Sequence, residues 1–554
     1  MAVIDYTLHA SSPLVLLACT VCVAVLAFRW YSSSTHGSIA HIRGPPVKNP
    51  ILGNIRDFSY QENVGDLDFA YMKEYGTAWR LKSSLGKSVL MVADPKALQH
   101  IFHKSGYLYP KTTPSTVRSF LVTGKSILWA PDGNTHSRHR KIMNPAFSAP
   151  QLRSFLTLFR KSSSKLCQLW RDEISPEGST VLVNKWLART TLDVIGEGIS
   201  YKLLAAFDFD FGAMQDNQNE LSVAYDNMFT DATLHTSPWN AIFEALWDYI
   251  PDGILKQVQH IPTREYARFK QTLGVFAKYS KRLIAQKSAD LVSDTHSKDV
   301  MSVLVRANAA EDAGRKLNDE EMVSQMSALT LAGHETTANT ISWLLYELAK
   351  HPDFQEKMHA EIVAKRAEIV ARGDEDFTME DLESLEYLQA AIKETLRYHP
   401  IAFHLNRMAS QDDVLPLAYP VMTTAGEKVT EIPVRKGQAI MPNLAAYNRI
   451  PEIWGADAHE WNPMRYIENR TDAQVRVGMY ANLMTFSAGV RGCIGWRFSL
   501  IEMQAIISDL VENFRFGLPK DRPEVLRVPA AVMAPMIKGR MEEGAKLPLH
   551  VTVY

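Results

Sequence analysis

The sequence predicts a mainly α-helical protein with small β-sheets, an α+β class, preceded by one membrane-spanning helix, and three features of the chain predict it. From about Gln151 to His399, Leu, Ala, Lys and Glu recur at spacings of three and four with few strand-like alternations, which is the helical period. Ala78 to Leu81 and Ser88 to Val92 read as short strands about Gly86, and Asp94-Pro95 follows as an N-cap with proline at the first helical position. From Ala10 to Phe28 the 19 residues include no Asp, Glu, Lys, Arg or His, close to the roughly 20 that span a bilayer as a helix.

The flanks of the apolar run set its orientation. Only Asp5 and His9 precede it among charged or titratable acids and bases, whereas Arg29, Arg43 and Lys48 follow, so the positive side is C-terminal and stays in the cytoplasm. A cleaved secretory signal would need a basic segment ahead of the run, and no Lys or Arg stands there. Residues 1–30 are therefore read as an anchor, 31–50, with Gly44-Pro45-Pro46 and Asn49-Pro50, as a stiff hinge, and 51–554 as one domain.

With 554 residues, 46% apolar and a net charge of −1, the chain can bury a large core and has no basic excess suited to nucleic acid. Cys19, Cys22, Cys167 and Cys493 show no spacing of a disulfide framework or a four-ligand zinc site, which fits a body in a reducing, cytosol-facing compartment. Asn318 with Glu321 three residues on forms a capping box, and apolar positions then continue to Lys350 before His351-Pro352. That helix would be roughly 48 Å long. The aromatic stretch from Ser237 to Pro251 reads as core in preference to a surface dipping into lipid.

The strongest chemical signal is Phe486-Ser487-Ala488-Gly489-Val490-Arg491-Gly492-Cys493-Ile494-Gly495, followed by an apolar-periodic helix from Trp496. Glycines let backbone approach a flat ligand, a helix N-terminus favours a thiolate, and free N–H groups can donate to its sulfur. Arg491 is placed to answer a carboxylate on the same ligand. A single cysteine taken alone is more often an inert buried residue than a ligand.

Phe486, Gly489, Arg491, Cys493 and Gly495 match the Phe-x-x-Gly-x-Arg-x-Cys-x-Gly haem-binding signature of the cytochrome P-450 family at every fixed position, and the chain resembles that family over nearly its whole length after the anchor. It looks most like fungal microsomal members that oxidise terpenoids, other secondary metabolites or aromatic hydrocarbons. The resemblance implies a triangular helical prism around a buried heme b, its iron held by the Cys493 thiolate. Ala332-Gly333-His334-Glu335-Thr336-Thr337 resembles the oxygen-binding segment: Ala332 and Gly333 would border the cofactor, Gly333 opening the groove, Thr336 would hydrogen-bond the bound oxygen, and Glu335 would relay protons. Gly costs about 1 kcal/mol relative to Ala in a helix interior, so its presence there suggests a functional reason. A zinc-protease reading of His334-Glu335 fails because the second histidine would fall at Ala338.

By the same resemblance, Glu394 and Arg397 form the Glu-x-x-Arg pair and Arg465 its third partner, a structural network near the cysteine loop. Asp132 to Lys141 resembles the helix beside the haem propionates, with Arg140 in a propionate role; His136 stands where the family often has tryptophan, which leaves its role open. Arg407 resembles a further propionate contact. Ala402, Phe403, His404, Val532 and Met533 would face substrate, together with parts of Lys111 to Ile127 and Ala328 to Thr337, small or apolar side chains that suit a lipophilic molecule. Basic residues between Arg138 and Arg171 read equally as a docking face for an acidic electron donor and as a solvated helix face.

The reaction so implied is a monooxygenation: one atom of O2 enters a lipophilic small molecule, with NADPH electrons delivered by a separate flavoprotein NADPH–cytochrome reductase and cytochrome b5 as a second donor. No Gly-rich dinucleotide fingerprint appears in the chain, so the reductase must be a partner. The expected location is the endoplasmic reticulum membrane, single-pass, with the body in the cytosol. Two rival readings are a haem-thiolate isomerase or dehydratase, against which Glu335-Thr336 argues, and a non-catalytic membrane haem-binding protein, which would need no oxygen groove.

Overall fold

The computed structural model describes residues 38–200, 212–215, 220–235, 237–261, 263–292, 300–312, 314–468 and 475–554. The expected membrane helix over residues 10–28 lies outside the described residues; among these, no helix is long and apolar enough to cross a membrane.

After two helices, Ile55–Ser59 and Asp66–Tyr75, the chain forms a small sheet. Strands β1 (Ala78–Lys82) and β2 (Ser88–Val92) pair antiparallel, as their alternation predicts. Asp94 then accepts hydrogen bonds from the Lys96 and Ala97 amides and opens α1 (Pro95–Gln99). Further on come α2 (Thr113–Thr123), α3 (Gly133–Met143), α4 (Ala149–Glu173), β3 (Ser179–Leu182) and α5 (Val183–Ser200). The helical run continues through α6 (Arg264–Val292), α7 (Asp319–Lys350), α8 (Pro352–Ala371) and α9 (Glu386–Tyr398). After it come β4 (Arg407–Met408), β5 (Asp413–Met422), β6 (Lys428–Val434) and β7 (Ala439–Pro442). The chain ends with α10 (Trp496–Asn513), β8 (Phe514–Gly517), β9 (Val525–Pro529), β10 (Met533–Ile537) and β11 (Pro548–Val553). One sheet runs β1-β2-β7-β4, another β3-β11-β8, and β5/β6 and β9/β10 are hairpins.

The capping box at α7 forms as the sequence predicts: the Asn318 side chain accepts from the Glu321 amide at 2.9 Å and Glu321 Oε2 accepts from the Asn318 amide at 3.1 Å. Glu321 is also ion-paired with Arg138 on α3, so one carboxylate ties the start of the long helix to a neighbouring element. Helix α7 packs most extensively on α5. Gly333 permits the contact, since a Cβ there would sit 2.5 Å from Ile195 Cδ1, and the Thr191 hydroxyl of α5 donates to the His334 carbonyl at 2.9 Å. Helix α10 packs on α4 through Phe155, Phe159 and Phe498, whose rings meet edge to face at 5.5 and 4.9 Å.

Three sequence expectations change. Residues 38–50, assigned to a hinge, are held to the body: Ile39 and Ile42 are buried, the Arg80 amide donates to the Arg43 carbonyl at 2.8 Å, and a Cβ at Gly44 would strike the Arg80 carbonyl at 1.8 Å. Strand β3 interrupts the helical stretch because its pairing partner, β11, lies at the far end of the chain. The aromatic stretch is divided: Trp247 is fully buried, with the Tyr266 ring of α6 tilted against it at 6.3 Å, whereas Trp239 is 81% exposed.

Candidate haem site

Helices α3, α7 and α10, the segment 401–407 and the loop 485–495 enclose a cavity of about 460 Å³. Cys493 faces into it. The cysteine is held by its own loop: its amide donates to the Phe486 carbonyl at 2.9 Å, and the Gly492 amide to the Gly489 carbonyl at 3.0 Å. Burial pushes the Cys493 thiol up, while the Gly495 N–H and the Arg140 charge favour the thiolate. Gly489 lies off the cavity wall; it has φ +65° and a Cβ there would lie 1.8 Å from the Phe102 carbonyl, so this position serves the close approach of the loop to its neighbour. Gly495 borders the cavity and caps α10, and a Cβ would meet only Phe147 at 3.7 Å.

The loop is anchored from behind by Glu394, Arg397 and Arg465, all at most 1% exposed. Arg397 Nε and Nη2 donate to the two Glu394 oxygens at 2.8 and 2.7 Å, and Arg465 Nε donates to both at 3.1 Å. Arg397 also donates to the carbonyls of Asn448, Ala458 and Glu460. Asn448 passes this rigidity on, its side chain donating to Thr485 Oγ1 at 3.0 Å and accepting from the Met484 amide at 3.1 Å. Thr485 donates in turn to the Leu396 carbonyl at 2.6 Å. Asn448 and Thr485 carry no local sequence signal; they matter because the fold sets them between α9 and the cysteine loop.

Opposite the thiol, Ala332, Gly333 and Thr336 of α7 form the wall, with apolar area from Ile127, Leu329, Ile401 and Leu405. Thr336 donates to the Ala332 carbonyl at 2.7 Å. Glu335 does not share this wall. It lines a second, polar cavity of about 430 Å³ with Lys185, Asp226 and Asn339. Its Oε2 is buried without a hydrogen-bond partner, and burial, reinforced by Asp226, raises its carboxyl to about 8.

At one edge of the main cavity stand Lys111, His136, Arg140, Arg407 and Arg491. His136 Nδ1 is 2.9 Å from the Tyr107 hydroxyl, and burial plus the charges of Arg491, Arg140 and Lys111 lower its imidazole to about 3, so it is neutral. Arg140 Nη1 donates to the Gly492 carbonyl at 2.6 Å, which places it beside the cysteine loop. Arg407 is 5% exposed, and burial followed by the Arg491 charge lowers it to about 10. No Asp or Glu lines this cavity.

Ala402 and His404 border the cavity, but Phe403, Val532 and Met533 do not. The Phe403 carbonyl accepts from the Leu444 and Ala445 amides, and Met533 is a buried β10 residue whose amide donates to the Ile401 carbonyl at 2.9 Å; both belong to the support of the wall. His404 is tied by Nε2 to Asp68 at 2.9 Å. In the basic stretch, Arg138 pairs with Glu321, Lys141 with Glu311, and Arg160 with Asp376 and Asp509, which takes much of that charge into internal pairs.

A helical body enclosing one thiol, a cluster of cations without counter-charges and an otherwise apolar wall suits a flat metal macrocycle with acidic side arms, so the residues fit haem. The arrangement defines a haem-thiolate protein. The chain belongs to the cytochrome P450 family, whose sequence profile matches residues 43–538. It is 32% identical over 533 residues to cytochrome P450 monooxygenase 205 of Postia placenta, covering 93% of each chain. It is 34% identical over 523 residues to a ganoderic acid synthetase of Ganoderma lucidum (92% and 93%) and 30% identical over 541 residues to cytochrome P450 monooxygenase claQ of Ampulloclitocybe clavipes (95% and 96%). The protein is thus a haem-thiolate monooxygenase that uses oxygen, a lipophilic substrate and a redox partner reductase.

Proposed function

We propose that Cys493 holds the haem iron and that the enzyme oxygenates a terpenoid, another secondary metabolite or an aromatic hydrocarbon, with NADPH electrons arriving through a flavoprotein reductase and cytochrome b5 as a second donor. The observation that carries this reading is the single thiol facing a largely apolar wall across one cavity. When bound, haem supplies the redox chemistry that activates dioxygen and delivers one oxygen atom to the substrate. The protein's own residues do the rest. Phe486, Gly492 and Gly495 hold the sulfur at the N-terminus of α10, and the Gly495 N–H donates to it. Arg407 and Arg491 answer the acidic side arms, and His136, neutral and with Nδ1 2.9 Å from the Tyr107 hydroxyl, borders the cavity beside them.

On the opposite wall, Ile127, Leu329, Ile401 and Leu405 exclude water and bind an apolar molecule by its surface. Thr336 has its proton engaged with the Ala332 carbonyl, so its oxygen accepts from the cavity until the hydroxyl rotates. The Glu335 carboxyl, raised to about 8, favours its protonated form at neutral pH away from the main cavity, where Lys185 and Asp226 adjoin it. The secondary-metabolite assignment draws support from the relative named for ganoderic acid.

The proposed location is the endoplasmic reticulum membrane, anchored once by residues 10–28 with the body in the cytosol; the support is the uncharged run and the basic residues after it. The test is to express the full chain in reductase-bearing microsomes and to screen terpenoid and aromatic substrates for NADPH-dependent oxygenation, with a Cys493→Ala control. Turnover and a thiolate-type spectrum of the reduced, carbon-monoxide-bound form that both vanish in the control are expected. Persistence of both in the control overturns the assignment of Cys493, and release of the protein from membranes by alkaline carbonate overturns the anchor.

A further inference from the structure

His404 borders the main cavity in a stretch of wall that Ile401, Ala402 and Leu405 otherwise make apolar. Its ring is held from behind. Nε2 lies 2.9 Å from Asp68 Oδ1, and the rings of Phe58 and Phe403 flank the imidazole at 5.9 and 4.9 Å between centres. Asp68, on the helix Asp66–Tyr75, is fully buried, and the same oxygen accepts from Asn443 Nδ2 at 2.6 Å. His404 and Asn443 face each other as an isolated antiparallel bridge, so one carboxylate clamps both sides of it. Among the described residues, no lysine or arginine pairs with this carboxylate and its Oδ2 has no partner. A carboxylate only accepts, so the proton of the His404 contact sits on Nε2. Nδ1 makes no hydrogen bond among the described residues and is not sealed in, so it opens on the cavity.

We propose that Asp68 fixes His404 with its proton on Nε2, so that Nδ1 accepts a hydrogen bond from the substrate, and that the substrate is a lipophilic alcohol. The inference rests on the reading of this cavity as the chamber for a lipophilic molecule and deepens it by naming the polar group that molecule carries. In a neutral imidazole one nitrogen donates and the other accepts, and the partner of the first decides which is which. A hydroxyl supplies the proton that Nδ1 takes up as acceptor; a ketone or a hydrocarbon has none to give. The apolar part of the wall meets the carbon skeleton by its surface. An analogue without the hydroxyl leaves Nδ1 facing carbon, and the unpaired nitrogen is what makes the contact selective. His404 touches the substrate, and Asp68 acts through it as a positioning residue.

The test uses the full-length holoprotein as wild type, His404→Phe, Asp68→Leu and Asp68→Asn. Dissociation constants are read from the spin-state shift of the haem absorbance on titration with matched probes: cyclododecanol, cyclododecanone and cyclododecane, then trans-decalol, trans-decalone and trans-decalin. The wild type is expected to bind each alcohol about tenfold tighter than its ketone, the scale of one neutral hydrogen bond. His404→Phe and Asp68→Leu are expected to bring that ratio to about one with hydrocarbon affinity unchanged, because only the hydrogen bond is lost. Asp68→Asn, whose amide oxygen can accept from both His404 and Asn443, is expected to keep the preference. Equal affinity for alcohol and ketone in the wild type overturns the proposal, as does tightest binding of the ketone or of cyclododecanecarboxylic acid, where Nδ1 would be donating. A preference that survives in His404→Phe also overturns it. So does a fall in hydrocarbon affinity equal to the fall for the alcohol in Asp68→Leu, since Asp68 would then only shape the wall. If Asp68→Leu takes up no haem, His404→Phe decides by the same ratio. A wild type that binds none of these probes is a different outcome and overturns the reading of the cavity as a lipophilic chamber instead.

Discussion

Glu335 and Thr336 are consecutive residues of α7 that border different cavities, Thr336 the chamber that Cys493 faces and Glu335 the polar one beside Lys185 and Asp226. Successive helical residues are turned about 100° from one another, so neighbours in sequence diverge on the helix surface. The roles therefore separate under mutation. Thr336→Ala is expected to divert NADPH electrons from product into peroxide and water, lowering product per NADPH by at least about tenfold, while the carbon-monoxide spectrum stays normal. Product and NADPH counted in the same reaction check this.

Glu335 sets a pH dependence of definite sign. Its carboxyl is raised to about 8 in the folded protein, above the ordinary value of 4.5, so the native state holds the extra proton between these values. Stability then falls as pH rises from about 4.5 to about 8 and has lost this contribution above it. Glu335→Gln should remove that slope in urea titrations across the range. The same variant should remove any fall in product per NADPH near pH 8 that the wild type shows.

Glu394 is a buried acceptor for two arginines and for the Asn462 amide. Glu394→Ala leaves Arg397 and Arg465 buried without their carboxylate, at a cost of about 3–5 kcal/mol. Against typical stabilities of about 5–15 kcal/mol this is a large loss, and it lands on the support of the cysteine loop. The expected result is little or no haem-loaded protein, read from the ratio of haem to protein absorbance.

Two glycines of one motif should respond oppositely. Gly489→Ala must place a Cβ 1.8 Å from the Phe102 carbonyl at φ +65°, so the loop cannot keep its shape and haem incorporation should fail. Gly495→Ala meets only Phe147 at 3.7 Å with negative φ, and should keep most of the bound haem. Haem content of the two purified variants decides the comparison.

Much of this site is written locally in the chain. The cysteine turn, the capping box at Asn318 and Glu321, strands β1 and β2 and the Glu394–Arg397 pair all depend on residues within a few positions of each other, where backbone geometry and capping chemistry act directly. The sequence alone therefore determined the helical class, the glycine-bounded turn that carries Cys493 and the long helix that borders the same cavity. Only the tertiary structure decided which face of α7 each side chain occupies, that Phe403 and Met533 support the wall instead of lining it, and that Asn448 braces the cysteine loop. Those outcomes depend on helix rotation and on contacts such as the one between Arg397 and Asn448, 51 residues apart. No local period encodes them, because packing of distant surfaces selects the partner.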